Sequence, residues 1–508
     1  MTDYDEYPYD GHPYAETHPH HLGALAALFG LRAAAPERCR VLELGCGVGA
    51  NLVPMAAALP GSSFVGIDLS PRQVEEGAAE VRALGLPNIA LHARSILDIG
   101  EDAGLGTFDY VLCHGVYSWV TAEVQAGILA ACRALLAPQG VAYVSFNTLP
   151  GWHMRGMVRD LLLREVGPGG TAAQRLERAR AFLGFLGRVP TDGSRAQAML
   201  RSELELLEQV SDAYLLHEHL AVHNRPQYFA EFARDAERAG LQYVADAQLR
   251  MMDAQRFGPE AEAIMKRMAR DVIDTEQFLD YLEVRLFRRA LLCQQEAVVD
   301  RGLTWSRLTG LRVSSLLQPA SASPDLGPDA TEAFHRPGGL ELSTNEPMLK
   351  AALLTLAGEQ PGGLPFTELC ARVGALDDAQ RASFGGDLLT LFARGAVSLG
   401  AGALPGVGVP GPRPATTALV GLHARLRRAT ATSVLHRRVA LDRLDWSLLP
   451  RMDGTLGVEE LAAAVVTDIA AGSVSISVDG EPRSDLETVL EVVQQRLLHH
   501  GRAGLLVA

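Results

Sequence analysis

The rhythm of apolar and polar positions changes twice along this chain, and each change marks a different kind of structure. Up to about residue 150, short apolar runs alternate with stretches of helical period. The runs at 40–44, 63–68, 89–92, 108–113 and 140–146 read as buried strands, and 22–29, 51–59 and 122–136 read as helices. Such alternation implies right-handed crossovers and a mostly parallel sheet covered on both faces. From 153 to 238 the pattern is helical and rich in Arg and Glu, with an apolar stripe opposite an acidic face at 202–210. Strand character returns at 239–245 and 287–293, so the sheet is expected to be completed late, after a helical insertion.

The second change falls near 303. Helical stretches at 348–356, 366–373 and 386–394, closed by an extended 396–399, suit a winged-helix-like module. Residues 319–328 read as a loop, and GAGALPGVGVPGPRP at 400–414 reads as the clearest linker in the chain. Beyond it, 448–455, helices at 459–466 and 486–498, and 505–507 suggest a second such module. The expected division is 1–152, 153–238, 239–302, 303–400 and 415–508. The fold class expected is α/β, with a helical insertion, followed by α+β winged-helix-like units. Neither of those units has a clearly basic recognition helix, so protein binding or packing is expected of them rather than DNA binding.

Chemistry concentrates at RVLELGCGVG, residues 40–49. A buried strand breaks there into a tight loop that starts a helix. Gly45, Gly47 and Gly49 let the backbone take positive φ and approach a ligand, and the free N–H groups at the helix start suit a carboxylate or phosphate. Gly45-x-Gly47-x-x-Ala50 also fits the dinucleotide pattern, which keeps a nicotinamide oxidoreductase open as an alternative. Glu43 argues against it: a carboxylate at the strand end repels a pyrophosphate but accepts bonds from an ammonium. S-adenosylmethionine carries an ammonium and a carboxylate and no phosphate. Asp68 lies at the end of the second strand, where a carboxylate accepts bonds from ribose hydroxyls; alternatively the stretch caps a helix, with Ser70 as N-cap and Pro71 at the first helical position. Gly45, Asp68, Ser95, His114 and Asn147 all fall at strand C-terminal ends, where ligands of such sheets bind.

Length and composition narrow the class. At 508 residues, 48% hydrophobic and 21% charged, the chain is an ordinary globular protein of several domains. No apolar run reaches the ~20 residues a bilayer requires, and the acidic, aromatic N-terminus has no secretory pattern, so no membrane association and a cytoplasmic location are expected. A net charge of −14 disfavours a nucleic-acid partner. The six cysteines show neither zinc nor disulfide spacing. His217-x-His219 lacks a third ligand and reads as structural, so no metal is expected. Tyr4, Tyr7, Tyr9 and Tyr14 form an aromatic start that either packs as an ordered arm or closes over a ligand. The acidic helical face reads as solvated, the alternative being a homodimer contact.

The chain resembles the bacterial class I methyltransferases that carry a methyltransferase regulatory domain, whose best-known members are protein-lysine methyltransferases. The resemblance is carried by YAETHP (14–19), RVLELGCG (40–47), GIDLS (66–70), HGVYSWV (114–120) and NTLPGW (147–152), with LHEHL (216–220) and RPQYF (225–229) like the start of the regulatory segment. It implies a Rossmann-like class I methyltransferase fold, S-adenosylmethionine as cofactor and a protein or peptide substrate. It also implies cofactor contacts from Tyr14, Thr17, Glu43, Gly45, Gly47, Gly49, Asn51, Asp68, Leu69, Ser95, Ile96 and His114. Tyr117, Trp119, Asn147 and Trp152 are expected on the acceptor side, and 303–508 in acceptor choice rather than methyl transfer. The competing expectations are a peptide or small-molecule amine or hydroxyl as acceptor, and a non-catalytic cofactor-binding protein.

Overall fold

Strands buried on both faces need apolar residues at consecutive positions, and the first strand, β1 (Arg40–Leu44), has them in Val41, Leu42 and Leu44, with the carboxyl-bearing Glu43 buried among them. With β2 (Ser63–Asp68), β3 (Ile89–Ala93), β4 (Phe108–Cys113), β5 (Leu136–Leu149), β7 (Leu241–Asp246) and β8 (Phe287–Gln294) it forms a sheet of order β3-β2-β1-β4-β5-β8-β7. The short β6 (Gln227–Tyr228) lies beside the end of β5. Strands β1 to β5 run parallel, and β8 is antiparallel to both β5 and β7. The computed structural model describes residues 7, 11–100, 104–189, 193–336, 339–478 and 480–508; Tyr4 and Tyr9 of the aromatic start lie outside them.

Helices α1 (Pro19–Leu28), α2 (Leu52–Ala58), α3 (Pro71–Leu84) and α4 (Ala122–Leu135) flank the parallel half. Ser70 caps α3 by accepting from Gln73 N–H, with Pro71 at the first helical position. The insertion is α5 (Trp152–Val166), α6 (Ala172–Arg188) and α7 (Arg195–Gln209), which pack around Val158, Leu162, Leu176 and Leu207 as a separate cluster. α8 (Phe229–Arg238) and α9 (Val272–Glu283) then return the chain to the sheet as β7 and β8, the late completion read in the sequence.

Period-2 alternation divides the sheet into two apolar faces. Leu42, Val111, Val144 and Phe146 pack with α4 and α8 on one side. Val41, Tyr110, Leu112 and Tyr143 lie on the other, against α1. That second cluster does not stop at the sheet. It runs through α1 into the following unit, built of α10 (Pro347–Gly358), α11 (Phe366–Val373) and α12 (Asp378–Ala393) with strands β9 (Arg312–Ser314), β10 (Leu364–Pro365) and β11 (Ser398–Gly400). The last unit, with α13 (Ala418–Arg425), the hairpin β12 (Thr430–Thr432) and β13 (Arg438–Ala440), α14 (Val458–Ala470) and α15 (Leu486–Ala503), has its own core around Val420, Leu448, Leu461 and Val493.

Residues 400–414 are not a free linker. Ala401 N–H donates to His20 O at 2.9 Å and Val407 N–H to Leu506 O at 3.1 Å. A Cβ on Gly400 would lie 1.7 Å from His20 Nε2. The glycines that suggested flexibility instead permit close packing.

Candidate functional site

The loop after β1 is held by backbone bonds from Gly45 and Cys46 to Ile67 O and by Gly47 N–H donating to Asp68 Oδ2 at 2.8 Å. Gly45, Gly47 and Gly49 have φ of 77°, 54° and 74°. A Cβ on Gly45 would meet Val116 Cγ2 at 2.3 Å, so glycine is required there twice over. Asp68 Oδ1 accepts from Ser70 N–H at 2.9 Å. The carboxylate therefore shapes both loops while its remaining lone pairs face outwards. Next to it, Leu69 is 72% exposed, and Ser95 caps the short 3-10 turn that begins at Ile96. An exposed leucine flanked by Asp68 and Ser95 offers a flat aromatic ligand an apolar surface.

Glu43 is buried on the opposite side of the loop. Its Oε1 accepts from Asn51 Nδ2 at 2.8 Å, while Oε2, also buried, has no hydrogen-bond partner among the described residues. Burial, opposed by the Asn51 bond and reinforced by the Asp68 charge, pushes its pKa up to about 8. Asn51 in turn ties the N-terminal segment down: its Oδ1 accepts from Tyr14 N–H at 3.0 Å and its Nδ2 donates to Thr17 Oγ1 at 3.0 Å. The Tyr14 ring lies on His114, with centroids 3.7 Å apart. Burial and the charges of Glu43, Glu16 and Glu218 raise the Tyr14 phenol to about 12. His114 Nδ1 bonds the Tyr143 hydroxyl at 2.9 Å, and burial lowers the imidazole to about 4, so it is neutral. Segment 11–18 thus lies over the strand ends.

On the neighbouring strand end, Asn147 Nδ2 donates to Asn224 Oδ1 at 3.4 Å. Trp119 and Trp152 meet edge to face at 5.9 Å, and Trp152 stacks on His219 at 6.5 Å. His217 Nε2 bonds Tyr7 O. The two histidines therefore face different partners, and no group of three metal-ligating side chains occurs among the described residues.

Tyr117 departs from its expected position. Its ring is 1% exposed and packs between Phe146 and Phe232. The alternation of β5 explains this: Tyr143 and Ser145 hold His114 and Gly115 on one face of the sheet, while Phe146 and Tyr117 lie on the other.

Two residues escaped the sequence reading. Glu218, between the two histidines, has its pKa raised to about 7 by burial, with Arg155 opposing; it sits in a π-helical turn, Leu215–His219, a deformation frequent at functional sites. His436, from the last unit, bonds Asn51 Oδ1 at 2.8 Å. The last unit therefore reaches the residues beside the glycine loop, which the expectation of a role for 303–508 in acceptor choice did not include.

Residues 42–142 match a family model described as a methyltransferase domain, 211–294 one described as a predicted methyltransferase regulatory domain, and 412–500 one described as the PKMT C-terminal winged helix domain. Together with the sheet order and the glycine loop, these matches define an S-adenosylmethionine-dependent methyltransferase of class I. The uncharacterized protein RP789 of Rickettsia prowazekii is 32% identical over 498 residues, covering 96% of this chain and 89% of that protein. The uncharacterized protein RP028 of the same organism is 38% identical over 46% of this chain and 94% of its own length. The solved structure of PKMT2 from Rickettsia typhi in complex with AdoHcy superposes with a TM-score of 0.88 at 27% identity, covering 99% of this chain and all of that one. The chain belongs to the bacterial class I methyltransferases that carry a methyltransferase regulatory domain. Among the described residues no helix is long and apolar enough to cross a membrane.

Proposed function

We propose that this enzyme transfers the methyl group of S-adenosylmethionine to a lysine side chain of a protein or peptide. When bound, the cofactor supplies an electrophilic sulfonium methyl for in-line displacement. The residues fit such a ligand: the buried Oε2 of Glu43, without a partner among the described residues, suits its ammonium, and the positive-φ glycines Gly45, Gly47 and Gly49 let it approach the backbone closely. Asp68 suits the ribose hydroxyls, with Leu69, Ser95 and Ile96 beside the adenine. Tyr14, Thr17, Asn51 and His114 cover the site from the N-terminal side. The R. typhi structure, which contains AdoHcy, supports S-adenosylmethionine as the cofactor.

The observation that carries the acceptor reading is Glu218. Glu218 is a half-buried carboxyl group whose pKa desolvation raises to about 7; it shares a π-helical turn with the His219 that stacks on Trp152, and its charge acts on Tyr14 over the strand ends. That combination suits a cation and then a proton. Lysine requires both, because at neutral pH only about one molecule in a few thousand has the free amine. In this reading Glu218 receives the proton, the half-buried Trp119 holds the alkyl chain and the cationic product through its π face, the buried Trp152 backs it, and Asn147 orients the nitrogen. Tyr117 supports the wall from the core.

The test is transfer of labelled methyl groups to lysine-containing proteins, followed by acid hydrolysis. Radioactive methyl-lysine is expected, with Glu218→Gln and Trp152→Ala lowering turnover about a hundredfold while AdoHcy affinity changes less than threefold. A label released by mild base as an ester would exclude lysine.

A further inference from the structure

The contact between His436 and Asn51 spans 385 positions of sequence and joins two separately cored units. Both side chains are 4% exposed. Because Tyr14 N–H donates to Asn51 Oδ1, the amide is oriented with its oxygen towards Tyr14 and His436 and its Nδ2 towards Glu43. His436 must therefore be the donor, through Nε2–H. It projects from the turn between β12 and β13 with φ of 55°, a left-handed conformation uncommon outside glycine. The turn is closed by Ser433 N–H to Arg437 O and His436 N–H to Ser433 O, both 2.9 Å. A residue held in such a conformation marks a position that the surroundings impose.

The rest of this seam is polar. Glu80 on α3 accepts from Arg428 and pairs with His423 at 3.1 Å, and Arg438 meets His12. Between these contacts lies a cavity of about 270 Å³ bordered by Ala50, Glu80, Arg428 and Arg438. The 430–440 hairpin therefore meets the glycine-loop region through polar contacts around a cavity, rather than through a shared apolar core, while the far side of its unit stays packed on segment 400–414.

We propose that the 430–440 hairpin of the C-terminal unit is a dockable part of the cofactor site, and that His436 is a positioning residue that links its docking to cofactor binding through Asn51 and Glu43. The inference rests on the cofactor reading of Glu43 given above. Docking fixes the Asn51 amide, the amide fixes Glu43 Oε1, and Oε2 is left aimed at the ligand. Linkage is reciprocal: docking raises cofactor affinity, and cofactor raises the docked population by the same factor. One buried neutral hydrogen bond sets that factor at about three- to tenfold.

The experiment uses the full-length protein and AdoHcy. Calorimetry should show His436→Ala binding about three- to tenfold more weakly, and His436→Gln, which keeps an N–H donor, recovering most of the loss. In the wild type, saturating AdoHcy should slow hydrogen exchange of the 430–440 hairpin; a merely structural His436 would not make that hairpin respond to ligand. Wild-type affinity in His436→Ala, or hairpin exchange indifferent to AdoHcy, overturns the linkage. Glu43→Gln separates the two levels. If it loses affinity while His436→Ala does not, the cofactor reading stands and the linkage falls; if neither loses affinity, the cofactor reading falls as well. Should His436→Ala not fold, the Gln variant and the wild-type exchange decide.

Discussion

A carboxyl group among apolar strands prefers to be neutral, and Glu43 is held at a pKa of about 8 for that reason, against an ordinary value of 4.5. Between those values the folded apo protein binds a proton that the unfolded chain has released. Glu43 therefore contributes stability that is full below pH 4.5 and is lost as pH rises towards 8. A ligand ammonium prefers the ionised form, so it must displace that proton. AdoHcy affinity is expected to rise by about fiftyfold between pH 6 and pH 8, with proton release detectable from the buffer dependence of the binding enthalpy. Glu43→Gln should bind more weakly and flatten the slope; a wild-type affinity independent of pH over this range would refute the role. Glu43, Gly45, Gly47 and Asp68 were legible in the sequence because a strand–loop–helix motif is local. Glu218 was overlooked because a carboxylate between two histidines draws attention to the histidines, and its burial arises from tertiary packing. The burial of Tyr117 between Phe146 and Phe232 was not legible, because sequence adjacency to Trp119 says nothing about which face of the sheet a ring joins.

At the scale of elements, the strands were readable from apolar runs, including the late pair β7 and β8, but not what anchors the pair. Arg288, the second residue of β8, is fully buried; it donates to Glu276 Oε2 at 2.8 Å and Asp280 Oδ2 at 2.7 Å on α9, with its guanidinium 3.9 Å over the Phe229 ring of α8. Arg285 reaches Asp280 Oδ1 at 3.0 Å in the same group. The network joins the strand that borders β5 to two helices of the segment matching the regulatory-domain model. Its acidic partners lie eight and twelve residues earlier, on an element whose packing the sequence pattern does not reveal. Removing the arginine would leave buried carboxylates short of positive charge. Arg288→Met is expected to destabilise this region by about 3–5 kcal/mol, seen as loss of exchange protection in α9 and β8. The double substitution with Glu276→Gln should recover part of it, because the uncompensated charge goes with it.

At the scale of the whole molecule, the sequence suggested beads joined by a tether, whereas the structure joins them by close backbone approach. Glycine and proline content carries no sign: it marks equally a chain free to move and a chain that must pass where no side chain fits. Gly408 shows the second case. A Cβ added there would lie 1.9 Å from the carbonyl oxygen of Gln360, and a Cβ on Gly501 of α15 would lie 2.2 Å from Gly408 O. Segment 400–414 therefore runs between the middle unit and the last helix, in contact with both. Backbone atoms on both sides cannot move aside as a side-chain tip could, so Gly408→Ala must displace one unit from the other. The strain expected is about 1–3 kcal/mol. Because a multidomain chain does not unfold as one step, local cleavage is a better readout than a melting temperature. Limited proteolysis of the wild type should spare 400–414 despite its composition, whereas Gly408→Ala should be cut there first, releasing the C-terminal unit. Rapid cleavage of the wild type within this segment would restore the tether and, with it, the independent modules that the sequence pattern suggested.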